Sequence, residues 1–203
     1  MLKRPTPRQL QPNVKHFATG KVLYKGISNS ARVYKKPVFF TNLKHHAEKY
    51  VKARLGEYAT KRPLKLLELT PRTLRWLLKQ PDLSVMNKNR ITFVMGVNVT
   101  VGDQMKLVNK IVSNQGHRNH IRKVMANNLL QTGAQPNSRG GRKSFMNINL
   151  NMYQSLCGFC RSRGYDGLFV DELKSPFHPL FGSELVLCDP KNSLVNVNFP
   201  LNN

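Results

Sequence analysis

Acidic residues are scarce in this chain. Asp and Glu together number 10 among 203 residues, against 33 Lys and Arg, and the formal net charge is +23. None precedes Glu48 and none falls between Asp103 and Asp166, so the charge is segmental. Long apolar runs are also missing. The longest, such as Leu185 to Cys188, fall far short of the ~20 residues that a membrane-crossing helix needs. No signal-like apolar core follows Lys3 and Arg4, so no cleaved secretory leader is expected. The three cysteines are an odd number, with Cys157 and Cys160 close together and Cys188 distant. They make no disulfide framework, and a reducing compartment is expected.

Apolar residues make up 40% of the chain, which is enough for a core and argues against wholesale disorder. One domain with a basic extension is the reading for this length. Charge of one sign at this density repels itself unless phosphates or acidic proteins surround it, so a polyanionic partner is implied, either nucleic acid or a large assembly. A membrane surface suits the chain less, because no segment sets a bulky apolar face opposite a Lys/Arg face.

Residues 1–20 hold Lys3, Arg4, Arg8 and the prolines 5, 7 and 12, a composition that opposes helix and leaves the backbone extended. They read as a basic arm, and 21–203 as a single α+β domain. Strands are expected at Lys21–Lys25, Val38–Thr41 and Leu64–Leu69. Leu43, Ala47, Tyr50, Val51 and Leu55 recur at helical spacing, which predicts a helix over Leu43–Arg54. Thr70 before Pro71 is an N-cap followed by Pro at the first helical position, with Leu74, Leu77 and Leu78 behind them. The middle, about 87–163, is mostly helical by pattern, with stripes at Met105, Val108, Ile111 and Val112 and at Ile121, Val124, Met125 and Leu129. Gly133–Ser144, carrying Arg139, Arg142 and Lys143, reads as a flexible basic loop. Gly167–Val170, Glu184–Cys188 and Ser193–Asn198 close the chain as strands.

Tetrahedral zinc at Cys157-x-x-Cys160 would need two more ligands, with only Cys188 and His178 on offer, so the pair reads as two small buried residues and no metal is expected. His117, Arg118, Arg122 and Lys123, the Arg139–Lys143 segment and the Lys3, Arg4 and Arg8 arm suit phosphate contacts that position a polyanion without reading sequence.

In order along the chain stand Leu23-Tyr24-Lys25-Gly26, then Val38-Phe39-Phe40-Thr41 running into Ala47-Glu48-Lys49-Tyr50, then Gly164-Tyr165-Asp166-Gly167 and Glu184-Leu185-Val186-Leu187-Cys188-Asp189-Pro190. Together these resemble the ADP-ribosyltransferase-like fold of bacterial toxins and poly(ADP-ribose) polymerases, over roughly Lys21 to Val197. The resemblance implies a split β-sheet that cradles NAD. It places Lys25 where the family has an Arg or His that holds the dinucleotide, and Lys lacks the planar fork of Arg and the directed ring hydrogen bond of His. It sets Phe39 and Tyr50 at the spacing of two aromatics that sandwich nicotinamide, Thr41 near the ribose, and Glu184 at the place of the catalytic carboxylate. Gly182 stands where enzymes that modify Arg or Asn side chains keep an acceptor-orienting Glu or Gln.

Each residue also has a plainer role open to it. Glu184 at a strand start suits an ion pair with one of the many cations, and Phe39 and Tyr50 suit packing of a strand on its following helix. The expectation is a non-enzymatic, highly basic structural component of a nucleoprotein or viral particle on this scaffold, intracellular or in a virion, with no cofactor. The alternatives are an active mono-ADP-ribosyltransferase using NAD and a sequence-independent nucleic-acid-binding protein.

Overall fold

The computed structural model describes residues 11–27, 38–49, 51, 54–95, 100–130, 139–171 and 183–197. Two sheets share the strands, and helices cover one of them. The first sheet has the order β1 (Asn13–Phe17), β5 (Leu64–Glu68), β6 (Gly167–Val170), β7 (Glu184–Leu187) and β3 (Val38–Phe40); the second has the order β2 (Val22–Ile27), β4 (Arg54–Thr60) and β8 (Leu194–Asn196). Among the described strand pairs only β5 and β6 run parallel. A parallel pair needs a crossover, and here that crossover contains α2 (Pro71–Leu78), α3 (Val85–Met95), α4 (Val101–Ile111), α5 (Gln115–Leu130) and α6 (Arg139–Ser162). The short helices α1 (Lys44–Glu48) and α7 (Pro190–Ser193) follow β3 and β7.

The first sheet is buried on both faces, which is why β5, β6 and β7 read as nearly unbroken apolar runs. Leu67, Leu168, Val170 and Val186 meet Leu74, Leu77, Ile91, Val108, Ile121, Met152 and Leu156 from the helices. The opposite face sends Leu64, Leu66, Phe169, Leu185 and Leu187 against Leu23, Tyr58 and Leu194 of the second sheet. Thr70 caps α2, its hydroxyl accepting from the Thr73 amide at 3.3 Å, with Pro71 in the first turn. Thr100 and Asp103 form a reciprocal capping box on α4.

Four readings of the sequence change here. The helix expected over Leu43–Arg54 is only α1, and Arg54–Thr60 is a strand whose buried positions are Gly56, Tyr58 and Thr60. Small and polar residues carry that period of two, so the apolar pattern hid it. Asn13–Phe17, inside the stretch read as an arm, is a sheet edge paired with β5; Lys15 and His16 are exposed, and polar residues are what blunts an edge. Of the expected loop Gly133–Ser144, residues 133–138 lie outside the described residues, and the backbone from Arg139 onward belongs to α6. Propagating an existing helix outweighs the poor propensity of Gly140 and Gly141. Finally, Cys157 on α6 is joined to Cys188, just past β7, with their Cα atoms 5.2 Å apart, and Cys160 is the buried free thiol. The expectation that the cysteines form no disulfide is overturned, and with it the basis for a reducing compartment.

Candidate functional site

Among the described residues one backbone bridge links the two sheets. β3 pairs with β7 through Val38↔Leu187, Phe39↔Val186 and Phe40↔Leu185. The next residue, Thr41, bridges to Tyr24 of β2 instead, with hydrogen bonds of 2.7 Å from the Tyr24 amide and 3.0 Å from its own. Lys25 follows Tyr24, and Glu184 precedes Leu185. Lys25, Thr41 and Glu184, far apart in sequence, therefore each lie within one residue of the backbone pairs that make this seam.

Their surroundings differ. The Lys25 ammonium lies 5.7 Å from the Phe40 ring centroid, a cation–π distance, and partial burial lowers its pKa below the ordinary value. Thr41 is buried, and its hydroxyl accepts from the Leu43 amide at 3.1 Å. Phe39 points to the other face of β3, where its ring meets Tyr153 of α6 edge-on at 5.3 Å between centroids. That contact is core packing, and it separates Phe39 from Lys25. Glu184 shares the Phe39 face, because Phe39 is registered with Val186, two residues along β7. Tyr50 lies outside the described residues.

Desolvation alone pushes the Glu184 carboxyl up to about 6. Among the described residues no hydrogen bond or ion pair reaches that carboxylate, so the ion-pair role open to it in the sequence is not realised there. A pKa raised in the folded state means that folding favours the protonated form, and the penalty for ionisation grows as pH rises from the unfolded value through the folded one. Glu184→Gln is expected to stabilise the protein by about 1–2 kcal/mol at pH 8 and to leave stability unchanged at pH 4. Urea denaturation at both pH values measures this. Destabilisation at pH 8 would mean that the carboxylate is held by hydrogen bonds after all.

Sequence reading missed Asn42. Its side-chain oxygen is buried and has no hydrogen-bond partner among the described residues, and nothing in the local sequence marks it. One strand across the sheet, Ser183 donates to Asp171 at 3.3 Å. Asp166, read as part of a turn, clamps that turn: Arg62 pairs with it at 2.5 Å and the Lys65 amide donates to it at 2.8 Å.

Five of the chain's Lys and Arg stand on α4 and α5. Lys106 and Lys110 on α4 and His117 and Lys123 on α5 are exposed. Arg122 donates to Asn109 at 2.7 Å and Arg118 to the Val112 carbonyl at 2.5 Å, which ties α5 to α4. The one acid on these helices, Asp103, is engaged by Thr100 and Lys106. For Arg139, Arg142 and Lys143 only the α6 backbone is described, and Lys3, Arg4 and Arg8 lie outside the described residues. No family model matches this chain, and neither a curated protein nor a solved structure does.

Proposed function

We propose that the chain is a highly basic structural component of a large nucleoprotein or viral particle, built on an ADP-ribosyltransferase-like scaffold and docked on polyanion. The observation that carries this reading is the charge balance. With 33 cations and 10 carboxylates the charge stays at +23, and α4 and α5 expose Lys106, Lys110 and Lys123 with a single acid between them, Asp103. No helix among the described residues is long and apolar enough to cross a membrane; phosphates of nucleic acid supply counter-charge at the density that this surplus calls for. Contacts of this kind release condensed counterions, and affinity then falls steeply with salt.

The test is fluorescence anisotropy of a labelled DNA duplex over a range of salt concentrations, with the triple variant Lys106→Glu, Lys110→Glu and Lys123→Glu beside the wild type. The variant is expected to bind more weakly and to lose about 0.9 from the log–log salt slope per phosphate contact removed. Salt-independent binding by the wild type, or an unchanged slope in the variant, would sink the reading.

A second reading is supported by Glu184, a desolvated carboxyl at the seam without a partner among the described residues, as expected of a residue that stabilises an oxocarbenium-like centre while nicotinamide leaves. In it the protein is a mono-ADP-ribosyltransferase, with Lys25 on the NAD pyrophosphate and Thr41 by the ribose. The Phe39–Tyr153 packing weighs against a nicotinamide sandwich at Phe39. NAD consumption or auto-modification by purified protein, abolished in Glu184→Ala, would replace the structural reading with this one.

A further inference from the structure

At the C-terminal end of α6 two half-buried rings stand beside cations. Arg163, just past the helix, has its guanidinium 4.9 Å from the Phe159 centroid and 5.7 Å from that of Trp76, and Trp76 of α2 meets Phe159 edge-on at 5.7 Å. Two residues further, the Tyr165 ring has the Lys65 ammonium 4.8 Å from its centroid. Gly164, at φ 71°, makes the turn between them. The Tyr165 amide closes that turn on the Cys160 carbonyl at 2.9 Å, and the Asp166 amide ties it to the Lys65 carbonyl at 2.8 Å. These contacts hold Trp76, Arg163, Tyr165 and Lys65 in one row across α2, the end of α6 and β5, with both rings backed by the helix-side core.

The acids beside this row are already taken. Asp82 accepts twice from Arg163, at 2.9 and 3.0 Å, and Asp166 pairs with Arg62. The cations are not. Arg72 and Lys79 lie four before and three after Trp76, on one stripe of α2. Both are exposed, as are Arg75, Arg161 and Lys65, and among the described residues no carboxylate pairs with any of the five.

Phosphates answer the cations and base faces answer the rings. A chain that offers both in alternation is single-stranded nucleic acid, whereas a duplex keeps its base faces stacked inside. By contrast α4 and α5 contain no Phe, Tyr or Trp, which suits phosphate contact alone.

We propose that the Trp76–Arg163–Tyr165–Lys65 row is a binding surface for single-stranded nucleic acid, with bases stacking on the Tyr165 and Trp76 rings and phosphates held by Lys65, Arg72 and Lys79. The inference rests on the polyanionic partner of the proposed function and not on the α4–α5 surface.

The experiment titrates dT and rU oligonucleotides of equal length into the full chain and follows the fluorescence of Trp76, its single tryptophan, with anisotropy of a labelled duplex beside it. Both oligonucleotides are expected to quench Trp76. Tyr165→Phe, which keeps the ring, binds as the wild type does. Tyr165→Ala weakens single-strand binding about tenfold with the salt slope unchanged, because that slope counts phosphates and not stacked bases; its duplex binding is unaltered. Lys65→Ala loses about 0.7 from the single-strand slope. Lys65 is exposed, so this variant tests the surface even where loss of the Tyr165 ring unfolds the end of α6. Quenching by one oligonucleotide alone supports the proposal and assigns the sugar as DNA or RNA. Absence of quenching by both, equal affinity in Tyr165→Ala, or an unchanged slope in Lys65→Ala overturns the proposal and leaves the α4–α5 reading standing. Loss of single-strand binding in Tyr165→Ala, with the Lys106, Lys110 and Lys123 triple variant binding duplex as the wild type does, upholds it while the α4–α5 reading falls.

Discussion

Reduction of the Cys157–Cys188 bond lowers the stability of the folded protein by about 3–4 kcal/mol, a drop in melting temperature of roughly 10 °C for a chain of this length. The two cysteines are 31 residues apart, and opening a loop of that size returns its closure entropy to the unfolded chain. The bond also fastens the second half of α6 to the end of β7, across the cluster that contains Leu156, Met152 and Val186. Exchange with the third cysteine does not relieve the loss, because burial pushes the Cys160 thiol up to about 12 and only a thiolate attacks a disulfide. Urea denaturation with and without reductant, on the wild type and on Cys157→Ser with Cys188→Ser, checks the figure; Cys160→Ser serves as the control and should still respond to reductant. A midpoint unaffected by reductant would mean that packing alone holds α6 in place. Alkylation of freshly isolated protein, which tells whether the bond exists where the protein works, bears on the compartment.

Gly167→Ala is expected to cost about 3 kcal/mol. Gly167 opens β6, between Leu66 of β5 and Leu187 of β7, in the middle of a sheet covered on both faces. A methyl group there runs into the Val186 carbonyl oxygen and comes within 3.1 Å of the Leu187 Cα. These are backbone atoms of a paired strand, so relief requires the strands to part. Gly158, on the exposed side of α6, would carry a methyl with nothing within 4 Å. Gly158→Ala should therefore gain roughly 0.5–1 kcal/mol from helix propensity. Denaturant midpoints of the two variants, moving in opposite directions, test the placement of both residues. Equal effects would refute the packing of β6 against β7.

Much of the fold was legible because it rests on neighbours in sequence. Thr70-Pro71 marks the start of α2 through cap geometry and a ring that tolerates only the first turn. Leu64–Glu68, Gly167–Val170 and Glu184–Leu187 announce doubly buried strands by apolar runs too short for helices. The same logic fails where the buried positions are not apolar. β4 hides behind buried Gly56 and Thr60, and β1 is masked for a different reason, the exposed Lys15 and His16 of a sheet edge. At the candidate site, motif order singled out Lys25, Thr41 and Glu184, and the seam brings their backbones together. It also set Phe39 among cofactor contacts, whereas α6 claims that ring for the core. Asn42 carries no local mark at all, since an orphaned oxygen exists only once the surrounding chain has closed over it.

The residues by themselves determine the +23 charge, the scarcity of acids and the local elements, because formal charge, backbone preference and side-chain period belong to each residue and its near neighbours. Tertiary structure decides that Cys157 meets Cys188, that Thr41 leaves β7 for Tyr24, and that burial strips water from the Glu184 carboxyl and pushes its pKa up to about 6. Those outcomes depend on distance and desolvation between segments far apart in the chain, which take a value only when the sheets have closed.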